Sequence, residues 1–99
     1  MEREIIWTEQ AVENLNDILT YIETSFGYNV SIDIFAKFES TIEILSRFPS
    51  IGRREYKDLR SFVLYKRTTL FYVFDDYKFT ILKLYDNRQN PENAFINIF

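Results

Sequence analysis

Seven basic side chains fall within twenty-one positions, Arg47, Arg53, Arg54, Lys57, Arg60, Lys66 and Arg67, countered there only by Glu55 and Asp58. Arginine suits phosphate and carboxylate because its planar guanidinium donates two parallel hydrogen bonds. Pro49 and Gly52 set a turn that aims Arg53 and Arg54 outward. The same residues also fit a solvated turn whose charges balance an acidic surface elsewhere. A second cluster, Asp86-Asn87-Arg88-Gln89-Asn90-Pro91, places Arg88 before an Asn-Pro turn, where it points into a groove or is held by Asp86. Tyr56, Tyr65, Tyr72, Tyr77 and Tyr85 are able to stack on bases. Aromatics at strand spacing are more often the material of a sheet core.

What is missing narrows the chemistry. The 99 residues contain neither Cys nor His, which removes thiolate nucleophiles, sulfur-ligated zinc and serine-type triads. Glycine-rich phosphate loops and carboxylates paired at helix spacing are also absent. No metal or cofactor is therefore expected, and Asp75-Asp76 reads as a turn. The length is that of one domain, residues 1–99. No stretch approaches the roughly 18 apolar residues of a membrane span, and Met1 to Trp7 is too short for a signal segment, so a soluble, cytoplasmic protein without a membrane partner is expected. The net charge of −3 hides a division. Met1 to Ser46 holds two basic and nine acidic residues, whereas Arg47 to Phe99 holds ten basic and six acidic ones. A binding partner within a Debye length of about 8–10 Å meets that local charge and not the total.

The elements that position these residues follow from periodicity. Glu4 to Trp7 is β-prone. Thr8 is an N-cap with Glu9 in the first turn behind it, and Ala11, Leu15, Ile18, Leu19 and Ile22 form the apolar stripe of a helix ended by Gly27. A second helix runs from Asn29 or Val30 to Arg47 on the stripe Ile34, Phe35, Phe38, Ile42 and Leu45, and Pro49 stops it. Strands are expected at Arg60 to Lys66, Thr68 to Phe74 and Lys78 to Tyr85, with Asp75-Asp76-Tyr77 turning between the last two. The apolar run Leu70 to Phe74 implies that both sheet faces are partly covered. The expected fold class is α+β: an N-terminal strand, then an antiparallel helical hairpin packed on a mainly antiparallel three- to four-stranded sheet, in the order β-α-α-β-β-β. Ala94 to Phe99 is a short apolar tail that packs, pairs as an edge or stays disordered.

Trp7-Thr8-Glu9-Gln10-Ala11, the pattern Leu15, Ile18, Tyr21-Ile22, then Leu45 with Phe48-Pro49-x-x-Gly52-Arg53, Arg60, Leu70-Phe71-Tyr72 and Arg88 before Pro91 together resemble the RelE/ParE toxin superfamily of bacterial type II toxin-antitoxin modules, the plasmid stabilisation toxins, over residues 4 to 91. The resemblance implies a growth-inhibiting toxin neutralised by a cognate antitoxin in a hetero-oligomeric complex. It also implies one of two working modes: ParE-like inhibition of DNA gyrase by binding, or RelE-like cleavage of mRNA on the ribosome. For an endoribonuclease the family pattern points to Arg60, Arg67 and Arg88 as phosphate-binding and charge-stabilising groups, with Lys57 or Glu55 in proton transfer. For binding it points to Arg53, Arg54, Tyr85 and Phe95. Three departures favour the ParE-like mode. The family's strand arginine is Thr69 here, with Arg67 two residues earlier; its C-terminal tyrosine is Phe95 or missing; and histidine is absent.

Overall fold

The computed structural model describes residues 2–86. β1 (Glu4–Trp7) leads into α1 (Glu9–Phe26) and α2 (Tyr28–Arg47), a 3-10 turn follows at Pro49–Ile51, and four strands complete the chain: β2 (Arg53–Tyr56), β3 (Leu59–Tyr65), β4 (Thr68–Phe74) and β5 (Lys78–Asp86). The tail from Ala94 to Phe99 lies outside the described residues.

Local sequence explains the helix ends. Thr8 is extended, and its Oγ1 accepts from the Ala11 amide at 3.1 Å, satisfying one of the free donors of the first turn of α1. Gly27 closes α1 and opens α2 at once, with φ 99° and ψ 163°. That is not the left-handed helical conformation expected of a helix-ending glycine but an extended mirror region open only to glycine. It turns the chain in a single residue, which is why α2 starts at Tyr28, slightly earlier than periodicity suggests. Ala11, Ile18 and Ile22 from α1 and Phe38, Ile42 and Leu45 from α2 are buried against Leu64, Leu70, Tyr72, Phe79, Ile81 and Leu84 of the sheet.

The sheet has five strands in the order β1-β5-β4-β3-β2. β1 runs parallel to β5, and the other pairs are antiparallel. The additional strand is β2, in the segment that reads as a turn from sequence. Its four residues carry Arg53, Arg54 and Glu55 and no apolar alternation, so only pairing with β3 makes them a strand. The helices cover one face, here the inner face. On the outer face Leu59, Phe71 and Tyr85 form a second buried cluster, with Val73 and Leu82 packed against it, in keeping with the two-sided burial implied by the run Leu70 to Phe74. Asp75 makes the β4–β5 turn: its Oδ1 accepts from the Tyr77 and Lys78 amides, both at 2.8 Å. Those bonds hold the Asp75 carboxyl below its usual pKa.

Candidate functional site

The motif Phe48-Pro49-x-x-Gly52 with Arg60 and Tyr72 folds into one knot on the inner face. Tyr72, fully buried, stacks on Phe79 at 4.6 Å between ring centroids and donates its hydroxyl to the Pro49 carbonyl at 2.5 Å. Burial raises the pKa of this phenol. Gly52 packs so closely that a Cβ there would stand 1.9 Å from Tyr72 Oη. Arg60 donates to the carbonyls of Ser50 and Gly52 at 3.3 and 2.8 Å. The guanidinium thereby caps backbone acceptors of a short turn and fastens it to β3.

The remaining basic residues are scattered. Arg47 pairs with Glu2 at 2.8 Å and with Glu43 at 2.9 Å. Arg54 Nε donates to the Lys57 carbonyl at 2.9 Å, and Lys57, at φ 50°, is a turn residue whose ammonium lies 5.3 Å from the Tyr56 ring centroid. Arg67 follows the turn residue Lys66, at φ 46°, and precedes β4, so it does not share the alternation that carries Thr69. Arg60 is the second residue of β3 and Arg67 lies beyond its end, with about 17 Å of strand between them at about 3.4 Å per residue. Arg88 and Phe95 lie outside the described residues.

Glu55 is on the opposite face from Arg60. Ser61 Oγ donates to its carboxylate at 2.8 Å and Arg53 Nε stands 3.4 Å away; Ser61, one residue after Arg60 in β3, projects to the other side of the sheet. Register then sets Arg53, Ser61, Phe71 and Lys83 side by side across β2, β3, β4 and β5. Tyr85 lies on the same outer face, two residues beyond Lys83. Lys83 and Tyr85 are buried, 5 % and 4 % exposed, and among the described residues the Tyr85 hydroxyl has no hydrogen-bond partner. Burial lowers the pKa of the Lys83 ammonium. Burial first, and then the neighbouring Asp86 charge, raises that of the Tyr85 phenol. Sequence reasoning found Arg53 and Tyr85 but missed Lys83. The available signal was a lone cation inside the apolar strand Phe79 to Tyr85.

Two apolar grooves flank the hairpin. One, of about 440 Å³, lies between the Gly27 end of the hairpin and the β3–β4 turn, walled by Tyr21, Ile22, Phe26, Val30, Ile34 and Tyr65. The other, of about 380 Å³, lies between β1 and the helices around Trp7, Leu15 and Phe35. Among the described residues no group of three or more carboxylates could hold a metal ion, and no helix is long and apolar enough to cross a membrane.

A hairpin of helices on a mixed sheet, with β1 at the edge and parallel to the last strand, is a RelE/ParE-like toxin architecture. A chain of the structure described as a chromosomal ParDE toxin-antitoxin system from P. aeruginosa superposes with a TM-score of 0.73 at 15 % identity, over 86 % of this chain and 96 % of that one. The YoeB dimer from Staphylococcus aureus gives 0.59 at 15 % identity, over 84 % and 94 %. Curated protein sequences give no match. The model of the ParE toxin of the type II toxin-antitoxin system parDE matches residues 5–91, and the chain belongs to that family.

Proposed function

We propose that this toxin arrests growth in the cytoplasm by binding a protein target, DNA gyrase, and that a cognate antitoxin neutralises it in a hetero-oligomeric complex. One observation carries the binding mode. Among the described residues, the groups that an endoribonuclease of this superfamily would use do not converge: Arg60 is tied to two backbone carbonyls on the inner face, Glu55 is bonded to Ser61 on the outer face, and Arg67 stands at the far end of β3. Proton transfer needs a base within about 2.6–3.2 Å of its proton donor, or one water away, and charge stabilisation needs cations at the same atom. A surface that binds without bond cleavage needs neither. On the outer face the exposed Arg53 suits such a contact, beside a floor of Phe71, Lys83 and Tyr85 that is itself buried.

The test is induction of the chain with two parallel readouts. Loss of plasmid negative supercoiling with intact mRNA 5′ ends is expected, together with inhibition of purified gyrase by purified toxin and relief by the adjacent reading-frame product. Codon-aligned mRNA cleavage with unchanged supercoiling would instead establish the RelE-like endonuclease and overturn this reading.

A further inference from the structure

We infer that the tip of the β3–β4 hairpin is a contact for the phosphate backbone of duplex DNA, made by Lys37, Lys66 and Arg67 around the ring of Tyr65. Tyr65 pairs with Thr68 across the two strands, so Lys66 and Arg67 form the whole connection and both stand exposed at its tip. Lys37 reaches the same place from α2. With Arg3 it makes up the basic residues of the acidic segment 1–46, and its ammonium lies 4.6 Å from the Tyr65 ring centroid. The Lys66 ammonium lies 5.4 Å from the same centroid. The two ammonium groups are therefore no more than about 10 Å apart, a length over which one strand of a DNA duplex presents about three phosphates.

The other arginines of the basic stretch are occupied within the protein. Arg47 pairs with Glu2 and Glu43, Arg53 stands against Glu55, and Arg54 and Arg60 donate to backbone carbonyls. Among the described residues no carboxylate is in ion-pair contact with Lys37, Lys66 or Arg67. Like charges gathered this closely repel one another until an anion joins them. Beside Lys37 a groove of about 530 Å³ carries Asp33, and also Ser40 and Thr41, whose hydroxyls are neutral donors of the kind that phosphate contacts use.

The geometry also selects among anions. Reading a single strand needs an aromatic face on which a base can stack; the Tyr65 ring is half-buried and lies under two ammonium groups, so it offers none. Two of the three cations are lysines, compact point charges suited to a row of phosphates, whereas a carboxylate is best matched by the arginine fork. Residues 1–46 carry nine acidic side chains against two basic ones, which repel DNA from the rest of the hairpin and confine the contact to this tip. The contact does not depend on which protein the toxin targets.

The test follows the fluorescence anisotropy of a labelled duplex of about 20 base pairs as purified full-length toxin is added, at salt from about 50 to 200 mM. Three neutralised phosphates give a slope of about −2.7 for log K against log salt, an affinity loss of about fortyfold over that interval. Lys37→Gln, Lys66→Gln and Arg67→Gln should each reduce the slope by about 1, and the triple variant, its folding checked by thermal melting, should bind at least tenfold more weakly at about 50 mM salt. Lys78→Gln is the control: it removes the same charge at an exposed position joined to the other end of β4, and it should keep wild-type affinity. No binding of the duplex by the wild type at about 50 mM salt, wild-type affinity in the folded triple variant, or an equal loss in Lys78→Gln overturns the assignment. Tighter binding of single-stranded RNA of the same length overturns duplex DNA as the ligand, and displacement of the duplex by polyglutamate at equal charge overturns phosphate in favour of an acidic protein.

Discussion

Gly52→Ala is the sharpest probe of the inner-face knot, because the backbone there is ordinary. Gly52 has φ −69° and ψ 153°, a conformation that any residue adopts, so its requirement for glycine is one of space alone. The new Cβ would stand 1.9 Å from Tyr72 Oη, 2.7 Å from Cζ and 3.0 Å from Cε1, where ordinary contact begins near 3.4 Å. One partner must retreat by roughly 1.5 Å, in an interior packed as densely as an organic crystal. Tyr72 is fully buried and stacked on Phe79, so the displacement falls on its hydrogen bond to Pro49. Overpacking of this kind costs about 1–3 kcal/mol, and a buried carbonyl left without its donor costs about 1–3 kcal/mol more. A net loss near 3 kcal/mol corresponds to a melting temperature lowered by roughly 12–24 °C in a domain of this size. Urea and thermal unfolding followed by circular dichroism measure it. Placing the same change in a Tyr72→Phe background supplies the control: without Oη the nearest contact is gone, and the alanine penalty should fall by about 1 kcal/mol. A Gly52→Ala protein within about 0.5 kcal/mol of wild type, or a penalty unaltered by Tyr72→Phe, refutes the reasoning.

Two tyrosines should respond oppositely to loss of the hydroxyl. Tyr72→Phe orphans the Pro49 carbonyl and is expected to cost about 1–3 kcal/mol, whereas Tyr85→Phe removes a buried hydroxyl with no described partner and should be neutral or stabilising by up to about 1 kcal/mol; chemical denaturation separates them. Arg60→Ala should lower stability by about 1–2 kcal/mol through its two carbonyl contacts, and under the binding mode growth arrest at low temperature persists; abolished toxicity in a fully folded variant would return Arg60 to the chemistry. The Asp75 carboxyl has its pKa lowered in the fold, so its stabilising effect is present above the unfolded value of 3.8 and is lost as pH falls through the lower folded value. Asp75→Asn should accordingly be less stable than the wild type at pH 6, and the difference should shrink below about pH 4; unfolding curves across that interval check it.

Much of the architecture was legible because it is written locally. The Thr8 cap, the two apolar stripes, the Pro49 stop and the Asp75 turn are each decided by residues within a few positions of one another, through hydrogen bonds and side-chain spacing that need no distant partner. The division into an acidic hairpin and a basic remainder was equally plain from the residue types.

Which residues share a site was not. β2 carries no alternation and is a strand only because β3 offers it hydrogen bonds, and register slips at Arg54/Tyr56, Val63/Tyr65 and Phe71/Tyr72 break the simple count by twos along the sheet. Counting in twos puts Arg67 with Thr69, but the chain places it in a turn. The sequence clusters Arg60 with Glu55, but adjacent strands put them on opposite faces. Lys83 lies far from Arg53 in the chain and shares its row only through three strand pairings. The amino-acid sequence by itself determined the helices, the strands other than β2 and the toxin family, since these depend on local pattern and on motifs in order. Tertiary structure alone decided that Arg60 clamps a turn, that Lys83 is buried beside Phe71, and that Arg67 faces an apolar groove, because face and register are properties of paired strands and no single segment encodes them.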